Sequence, residues 1–272
     1  MNRLPIEKQI LVATLLSEGN SIRAISRITG VHKCTISNLS VRLGEKAYEF
    51  LSLKMRNLKC NYIQVDEVWT FVKKKKRNKL DDDKREVGDA WIWIALDAET
   101  KLVPYFTVGK RTTNRAYEVI KELKERIVTR FQLSTDSYTG YFNAVDEIFG
   151  ETIDYAQLHK HYGDTAEGTK RYSPANIIRV TKKIILGNPD LSKISTSYVE
   201  RQNLTMRMSM RRLTRLTNAF SKKLYNLQCA VALHFFHYNF MRIHQSLRVT
   251  PAMEAGVTNH LYSWYDFLNY EL

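Results

Sequence analysis

Three acidic residues far apart in the chain, Asp66, Asp136 and Glu200, have sequence contexts that suit catalytic carboxylates. Asp66 ends a run rich in β-branched and aromatic residues, 62–65, which is typical of a half-buried strand. Asp136 follows a second run, 130–135, and lies shortly before a glycine, which indicates a strand that opens into a turn. Two strand ends are therefore predicted to present short acidic side chains.

Glu200 lies in a segment rich in hydroxyl residues, 195–201, which predicts the start of a helix. Magnesium takes oxygen ligands and keeps several waters, so two or three carboxylates leave positions for phosphate oxygens. Without a cation, the like charges would raise the pKa of at least one carboxyl group. The three residues therefore predict a site for Mg²⁺, with Mn²⁺ as a substitute, and chemistry on phosphate esters.

The net charge of the chain indicates what kind of partner such a site would bind. There are 42 Lys and Arg residues against 28 Asp and Glu, a formal net charge of +14 that favours binding to polyanions. The segment 201–223 is rich in Arg and Lys and has no acidic residue. At helical spacing Asn203, Arg207 and Arg211 fall near the Glu200 face, so Arg207 and Arg211 are predicted DNA contacts. A solvated basic face is the alternative, although such faces usually mix charges of both signs.

Length and composition predict a globular protein with more than one domain. The chain has 272 residues, of which 44% are hydrophobic and 26% charged, and no apolar run reaches the roughly 18 to 20 residues that span a bilayer. Its three cysteines are isolated, which indicates neither a disulfide framework nor a paired zinc motif. The expected compartment is the reducing cytoplasm, in association with the nucleoid and without a membrane partner.

The first fifty residues predict a helix-turn-helix DNA-binding domain, 1–50. Its predicted helices cover 4–16, 21–29 and a third segment from His32 to near Gly44, with the turn at 30–31. The third helix would enter the major groove of DNA. Its exposed polar residues are the candidate DNA contacts: Lys33, Thr35, Asn38 and Arg42. A three-helix packing module without DNA contact is the alternative.

The rest of the chain is predicted to form a linker, 51–60, a catalytic domain, 61–225, and a C-terminal helical extension, 226–272. Within the catalytic domain, strands are predicted over 61–72, 90–97, 101–108, 131–136 and 151–157, and helices over 113–129 and 140–149. Antiparallel strands that lead into alternating helix and strand predict an α/β fold with an RNase H-like mixed sheet.

Three sequence blocks now indicate a family. The segments 63–69 (Ile-Gln-Val-Asp-Glu-Val-Trp), 134–138 (Ser-Thr-Asp-Ser-Tyr) and 197–203 (Ser-Tyr-Val-Glu-Arg-Gln-Asn) resemble those of DDE transposases from bacterial insertion sequences, in particular the Insertion Sequence One group. Further similarity lies in 211–222 and 238–252, so the resemblance spans nearly the whole chain. Members of this group often carry a cysteine-rich zinc-binding segment, and this sequence has no cysteine pair to form one.

The resemblance implies what the acidic residues do. Asp66, Asp136 and Glu200 would be the catalytic residues and the metal ligands, with Asp66 and Asp136 holding two Mg²⁺ ions and Glu200 completing one site. The reaction would cleave phosphodiester bonds at transposon ends and join the freed 3′-hydroxyls to target DNA. Arg207 matches a basic residue that such families place two helical turns after the glutamate. The partners would be double-stranded DNA and, for the pairing of two ends, further copies of the chain.

Some alternatives stay open at this level. Glu67 adjoins Asp66, and since neighbouring side chains on a strand point to opposite faces, only one of them is expected to face the metal. The resemblance selects Asp66. A metal-dependent DNA endonuclease without strand transfer, or a helix-turn-helix transcriptional regulator whose carboxylates have no catalytic role, would also account for much of the sequence.

Overall fold

Three helices form the start of the computed structural model, which describes residues 4–163, 176–214 and 217–272. Helices α1 (Ile6–Ser17), α2 (Ile22–Thr29) and α3 (Lys33–Lys54) follow one another closely. Ser21 caps α2 by accepting a hydrogen bond from the amide of Ala24, and Gly30 ends it with φ +70°. The three predicted helices are therefore present.

The third helix does not end near Gly44, as the sequence predicted, but continues to Lys54. Leu43, Ala47, Phe50 and Leu51 prolong its apolar stripe, and all four are buried. Because this stripe packs against a later helix, tertiary contact outweighs the poor helix propensity of the glycine.

A six-stranded mixed sheet forms the centre of the chain, in the order β3-β2-β1-β4-β5-β6. The strands are β1 (Tyr62–Val72), β2 (Gly88–Asp97), β3 (Tyr105–Gly109), β4 (Gln132–Asp136), β5 (Asp154–Tyr162) and β6 (Ile177–Leu186). The first three pair antiparallel, β4 and β5 run parallel to β1, and β6 is antiparallel to β5. This arrangement confirms the predicted RNase H-like fold.

Helices lie on both faces of the sheet. The helices after β3 are α4 (Thr113–Arg126), α5 (Thr139–Phe149), α6 (Ser197–Ser209), α7 (Leu224–Phe240) and the short α8 (Pro251–Glu254) and α9 (Trp264–Asn269). Helix α8 packs against α7, and α9 packs against α1. Tyr141 of α5 packs edge-on against Trp93 of β2, and both are fully buried. Asn203 of α6 reaches Asp66 of β1, on the opposite strand face. The described helices include none that is both long and apolar enough to cross a membrane.

Helix α7 connects the N-terminal helices to the sheet. Its Asn239 side chain accepts a hydrogen bond from the Val103 amide and donates one to the Val103 carbonyl, so it holds the segment before β3. On another side, Phe236 and Phe240 pack edge-on against Phe50 of α3, with ring centroids 5.0 Å apart in each pair. The N-terminal helices thus share a core with α7.

Candidate active site

Strand pairing brings two of the predicted acidic residues together. Strands β1 and β4 are parallel neighbours, with Val65 opposite Thr135, so Asp66 and Asp136 occupy the next position on each strand. Carboxylate oxygens of Asp66, Glu67 and Asp136 lie within 4.8 Å of one another, a spacing at which a metal ion could bind to all three. We refer to these three residues as the acidic group.

Asp66 faces α6. Its Oδ2 accepts a hydrogen bond of 2.7 Å from Nδ2 of Asn203. Burial raises the pKa of Asp66 to about 6, and the negative charges of Asp136 and Glu200 act in the same direction. The other amide atom, Oδ1 of Asn203, is buried and has no hydrogen-bond partner among the described residues. A buried oxygen that lacks a donor and lies beside carboxylates could accept a hydrogen bond from a water molecule that is bound to a cation.

Asp136 is oriented by the turn that follows its strand. Its Oδ1 accepts a hydrogen bond of 2.9 Å from the amide of Tyr138, and its Oδ2 lies 3.2 Å from Nη2 of Arg111. The side chain is 39% exposed, so this carboxylate contacts solvent and also lies beside the other two members of the acidic group. A substrate phosphate could therefore approach the group at Asp136.

Glu67 points to the opposite strand face from Asp66, as the alternation of side chains predicts. Its carboxylate accepts hydrogen bonds from the hydroxyl of Tyr141 and from Nε of Arg111, the latter at 3.2 Å. Burial raises its pKa to about 7, and the nearby charge of Asp136 adds to the effect. Carboxylate oxygens of both Asp66 and Glu67 nevertheless lie within 4.8 Å of one of Asp136, the last residue of β4.

Glu200 lies near the acidic group but outside it. Its Oε1 accepts hydrogen bonds from Nζ of Lys160 and from the hydroxyl of Thr196. Its charge is close enough to contribute to the raised pKa of Asp66. The structure therefore places all three predicted carboxylates in one region, with Asp66 and Asp136 adjacent and Glu200 paired to a lysine.

The start of α6 is fixed by β1. Oε1 of Gln64 accepts hydrogen bonds from the amides of Tyr198 and Val199, at 2.9 and 3.1 Å. The sequence predicted a helix start in this hydroxyl-rich segment, and α6 does begin at Ser197. Oγ of Ser195 accepts a hydrogen bond of 3.1 Å from the Ser197 amide, whereas the Thr196 hydroxyl donates to Glu200. Gln64 can cap the helix because it shares a strand face with Asp66, and it thereby sets the position of Glu200 relative to Asp66.

The basic segment after Glu200 is not one continuous helix. Helix α6 ends at Ser209, and Arg211 begins a separate 3₁₀ turn, Arg211–Leu213. The prediction that Arg211 shares a helix face with Glu200 is therefore wrong, because burial of Met210 and Leu213 turns the chain away. Arg207 does lie on α6, where its Nη2 donates to the carbonyl of Trp69 at 3.4 Å. Arg215 falls outside the described residues.

The predicted DNA contacts of α3 fall into two places. Lys33, Asn38 and Arg42 line a cleft together with Arg211, whereas Thr35 is exposed and does not line it. Nη2 of Arg42 donates to Oε1 of Gln9 at 3.3 Å. No local pattern indicated Arg111 or Tyr141, because their contacts with Glu67 and Asp136 depend on packing. For the further carboxylate, Glu67, the available sign was its position next to Asp66.

Comparison with known proteins gives similarities in structure alone. No protein family and no curated protein matches the sequence. The chain is similar to the piggyBac transposase in a synaptic complex with hairpin DNA, with TM-score 0.38 and 10% identity over 97% of this chain and 68% of that one. It is similar to a chain of the simian T-cell lymphotropic virus intasome in complex with PP2A regulatory subunit B56 gamma, with TM-score 0.37 and 12% identity over 96% of this chain and 75% of that one. It is also similar to the Mos1 strand transfer complex, with TM-score 0.26 and 12% identity over 88% of this chain and 78% of that one. The strand order, rather than these similarities, identifies the fold.

Proposed function

We propose that this protein is a DDE transposase of the insertion-sequence type, which cleaves phosphodiester bonds at transposon ends and joins the freed 3′-hydroxyls to target DNA. The observation that supports this most is the meeting of Asp66, in the middle of β1, with Asp136, at the end of the neighbouring parallel strand β4, in an RNase H-like sheet with Glu200 on the adjoining helix. The net charge of +14 suits a DNA substrate.

The acidic residues fit divalent cations. All the donors are carboxylate oxygens, burial and mutual repulsion raise the pKa of Asp66, and the buried Oδ1 of Asn203 lacks a donor within the described chain. We propose that Asp66 and Asp136 hold two Mg²⁺ ions, for which Mn²⁺ can substitute, and that Glu200 completes one of the sites. Bound there, the ions would polarise the phosphodiester and increase the acidity of the attacking water or hydroxyl.

The remaining residues position these carboxylates. Asn203 fixes one oxygen of Asp66, the Tyr138 amide fixes one oxygen of Asp136, and Gln64 fixes the helix that carries Glu200. Arg111 lies between Glu67 and Asp136, where its guanidinium offsets part of their repulsion. Such hydrogen bonds hold catalytic side chains in place before the substrate binds.

DNA binding is assigned to cationic and neutral polar side chains outside the acidic group. We propose that Arg207 contacts phosphates near Glu200, and that Lys33, Thr35, Asn38, Arg42 and Arg211 contact DNA further away. Since two transposon ends must be joined to one target, the active form is proposed to be a homo-oligomer. The segments 1–50, 51–60, 61–225 and 226–272 remain the proposed domain organisation.

Strand transfer on supercoiled DNA tests the function. With a plasmid that carries the element's own ends, we expect cleaved and joined products in Mg²⁺ or Mn²⁺ and none in EDTA. Products are separated on agarose gels and their junctions sequenced. Metal-dependent cleavage without joining would instead establish an endonuclease, and metal-independent binding with no cleavage would favour a regulator; either result contradicts the proposal.

Magnesium should stabilise the fold more at high pH than at low pH. In the folded protein the pKa values of Asp66 and Glu67 are raised to about 6 and about 7, so their protonation stabilises the fold below the unfolded pKa values and this contribution disappears as the pH rises through 6 to 7. Protons and Mg²⁺ compete for the same oxygens. Thermal unfolding should therefore show a larger Mg²⁺-induced rise in Tm at about pH 8 than at about pH 5.

Two variants with the same charge change accompany this measurement, one at the proposed metal site and one away from it as a control. Asp136→Asn should lose most of the Mg²⁺-induced rise in Tm, because it replaces a charged carboxylate ligand with a neutral carboxamide. Asp146→Asn, at an exposed position of α5, should keep it. An equal rise in Tm at both pH values, or a full rise in Asp136→Asn, would show that Mg²⁺ binds elsewhere.

A further inference from the structure

A cleft of about 1290 Å³ separates α3 from the segments 209–212 and 217–223. One wall is the face of α3 that carries Lys33, Ser37 and Asn38, and the other consists of residues of the segments 209–212 and 217–223. Helix α7 closes it with Leu233 and His234. The cleft is separate from the acidic group, none of whose members lines it.

The cleft is strongly basic. Seven Arg and Lys side chains line it, and no Asp or Glu is among the described lining residues. Four of the cations, Arg211, Arg212, Lys222 and Lys223, belong to the segments 209–212 and 217–223. Across the described chain, none of the seven forms a salt bridge with a carboxylate. Such an excess of one sign in a concave site attracts a polyanion.

Two polar groups that line the cleft, one partly buried and one buried, lack a compensating partner among the described residues: Arg212 has no carboxylate beside it, and one nitrogen of His234 has no hydrogen bond. Arg212 is partly buried, its guanidinium donates to Oγ of Ser221 at 3.1 Å, and burial lowers its pKa because no carboxylate compensates. His234 is 6% exposed, and its Nε2 has no hydrogen-bond partner among the described residues. A buried cation without a counter-ion is costly, so an anionic ligand would satisfy Arg212.

The walls of the cleft are held in place by close backbone contacts. At Gly19, between α1 and α2, an added Cβ would lie 3.2 Å from the carbonyl oxygens of Met208 and Ser209 at the end of α6. At Gly44 of α3, an added Cβ would overlap the backbone of Cys229 in α7. Arg242 also donates to Oγ of Ser209 at 3.3 Å. The helix-turn-helix segment thus rests against both α6 and α7.

This arrangement restricts what α3 can contact. The major groove of duplex DNA is about 12 Å wide and is bounded by two phosphate backbones, which must pass on both sides of an inserted helix. Here the segments 209–212 and 217–223 of the same chain lie across the cleft from α3. A single strand needs only one channel, with cations for its phosphates and an aromatic side chain for its bases. Phe220 lines the cleft and is partly buried.

We propose that this cleft binds a single strand of DNA, with its phosphates against Arg211, Arg212, Lys222 and Lys223 and its bases beside Phe220 and α3. The proposal rests on the proposed function only for the identity of the polyanion as DNA. In that reaction the strand would be an unpaired segment next to a cleaved end. The helix that the sequence assigned to the major groove would then contact one strand.

Equilibrium binding in EDTA tests the cleft without any cleavage chemistry. The probes are a fluorescein-labelled oligothymidylate of about 12 nucleotides, within the usual range of single-strand sites, and a blunt duplex of equal length. By fluorescence anisotropy we expect the single strand to bind more tightly than the duplex at the same salt concentration. The double variant Lys222→Gln, Lys223→Gln should weaken single-strand binding at least about 10-fold and reduce the slope of log K against log salt by about 1.4, or 0.7 for each lost phosphate contact.

Matched variants separate the cleft from the overall charge. Lys222 and Lys223 are exposed, so their loss should leave the fold intact. The control Lys8→Gln, Lys59→Gln removes the same charge at exposed positions outside the cleft and should leave the salt slope unchanged. Phe220→Ala should weaken binding of the single strand more than binding of the duplex.

The results of this binding experiment test single-strand binding in the cleft independently of the proposed transposase activity. Preference for the duplex, equal losses in the cleft and control variants, or unchanged single-strand binding in the Lys222, Lys223 variant would each overturn the proposal. A protein that binds the single strand through these lysines but shows no strand transfer would overturn the proposed function alone. A protein that transfers strands but fails the binding test would overturn the cleft alone.

Discussion

Asp136→Asn is expected to abolish DNA cleavage and strand transfer while leaving DNA binding and the fold intact. Asp136 is the carboxylate of the acidic group that also meets solvent, so its charge is available to both metal and substrate. Loss of a charged ligand removes several kcal/mol of transition-state stabilisation. A loss of this size lowers the rate by at least about 10³-fold.

The substitution is mild for the folded protein. The carboxamide oxygen of asparagine can still accept the hydrogen bond from the Tyr138 amide, so the turn after β4 is preserved. The contact with Arg111 weakens, but that pair is partly exposed and contributes little to stability. Reduced activity can therefore be assigned to the site rather than to unfolding.

The measurement is a single-turnover assay of cleavage and joining in Mg²⁺, beside DNA binding by anisotropy in EDTA. Asp146→Asn on α5 is the matched control, since it makes the same change at an exposed position away from the acidic group, and it should retain full activity. If Asp136→Asn cleaves DNA at the normal rate, the acidic group is not the active site. If it also loses DNA binding, the variant has failed for another reason, which its Tm would reveal.

Much of the sheet was predictable because its signals are local. The runs that became β1 and β2 are rich in β-branched and aromatic residues, and the predicted bounds of β1, β2 and β4 agree with the structure to within two residues. Strand β6 was not predicted, because most of its residues are exposed and it is defined by pairing with β5, at the edge of the sheet. Such pairing is a property of the fold, which no local pattern records.

Some features of the candidate site were likewise predictable from the local sequence, and others were not. Asp136 could be predicted at a strand end, and β4 does end there. The prediction that Asp66 also ends a strand is wrong, because pairing with β2 continues β1 to Val72 and leaves Asp66 in its middle. The cap on α6 could not be predicted, because Gln64 lies 134 positions before the Tyr198 amide from which it accepts a hydrogen bond. Arg111 likewise reaches Glu67 and Asp136 from the loop after β3. These partners depend on tertiary packing, which the spacing of residues along the chain does not encode.

Gly44→Ala is expected to destabilise the protein, although the same change inside an ordinary helix is stabilising by about 1 kcal/mol. Gly44 lies in the middle of α3, and an added Cβ would overlap the backbone carbonyl and Cβ of Cys229 in α7. Backbone atoms cannot move aside by rotation of a side chain, so the two helices must separate. Overpacking of this kind typically costs about 1–3 kcal/mol, and separation would also loosen the contacts of Phe50 with Phe236 and Phe240.

We expect a fall of roughly 2 kcal/mol in the free energy of unfolding, measured by urea denaturation with circular dichroism, and a fall in Tm of about 4 to 8 °C. Glu49→Ala, at an exposed position of the same helix, is the control and should change stability by less than about 0.5 kcal/mol. An unchanged or increased stability of Gly44→Ala would mean that α3 does not approach α7 as closely as described. Because the same approach fixes one wall of the basic cleft, the destabilised variant should also bind a single strand more weakly, which links the fold of the N-terminal helices to the DNA they are proposed to hold.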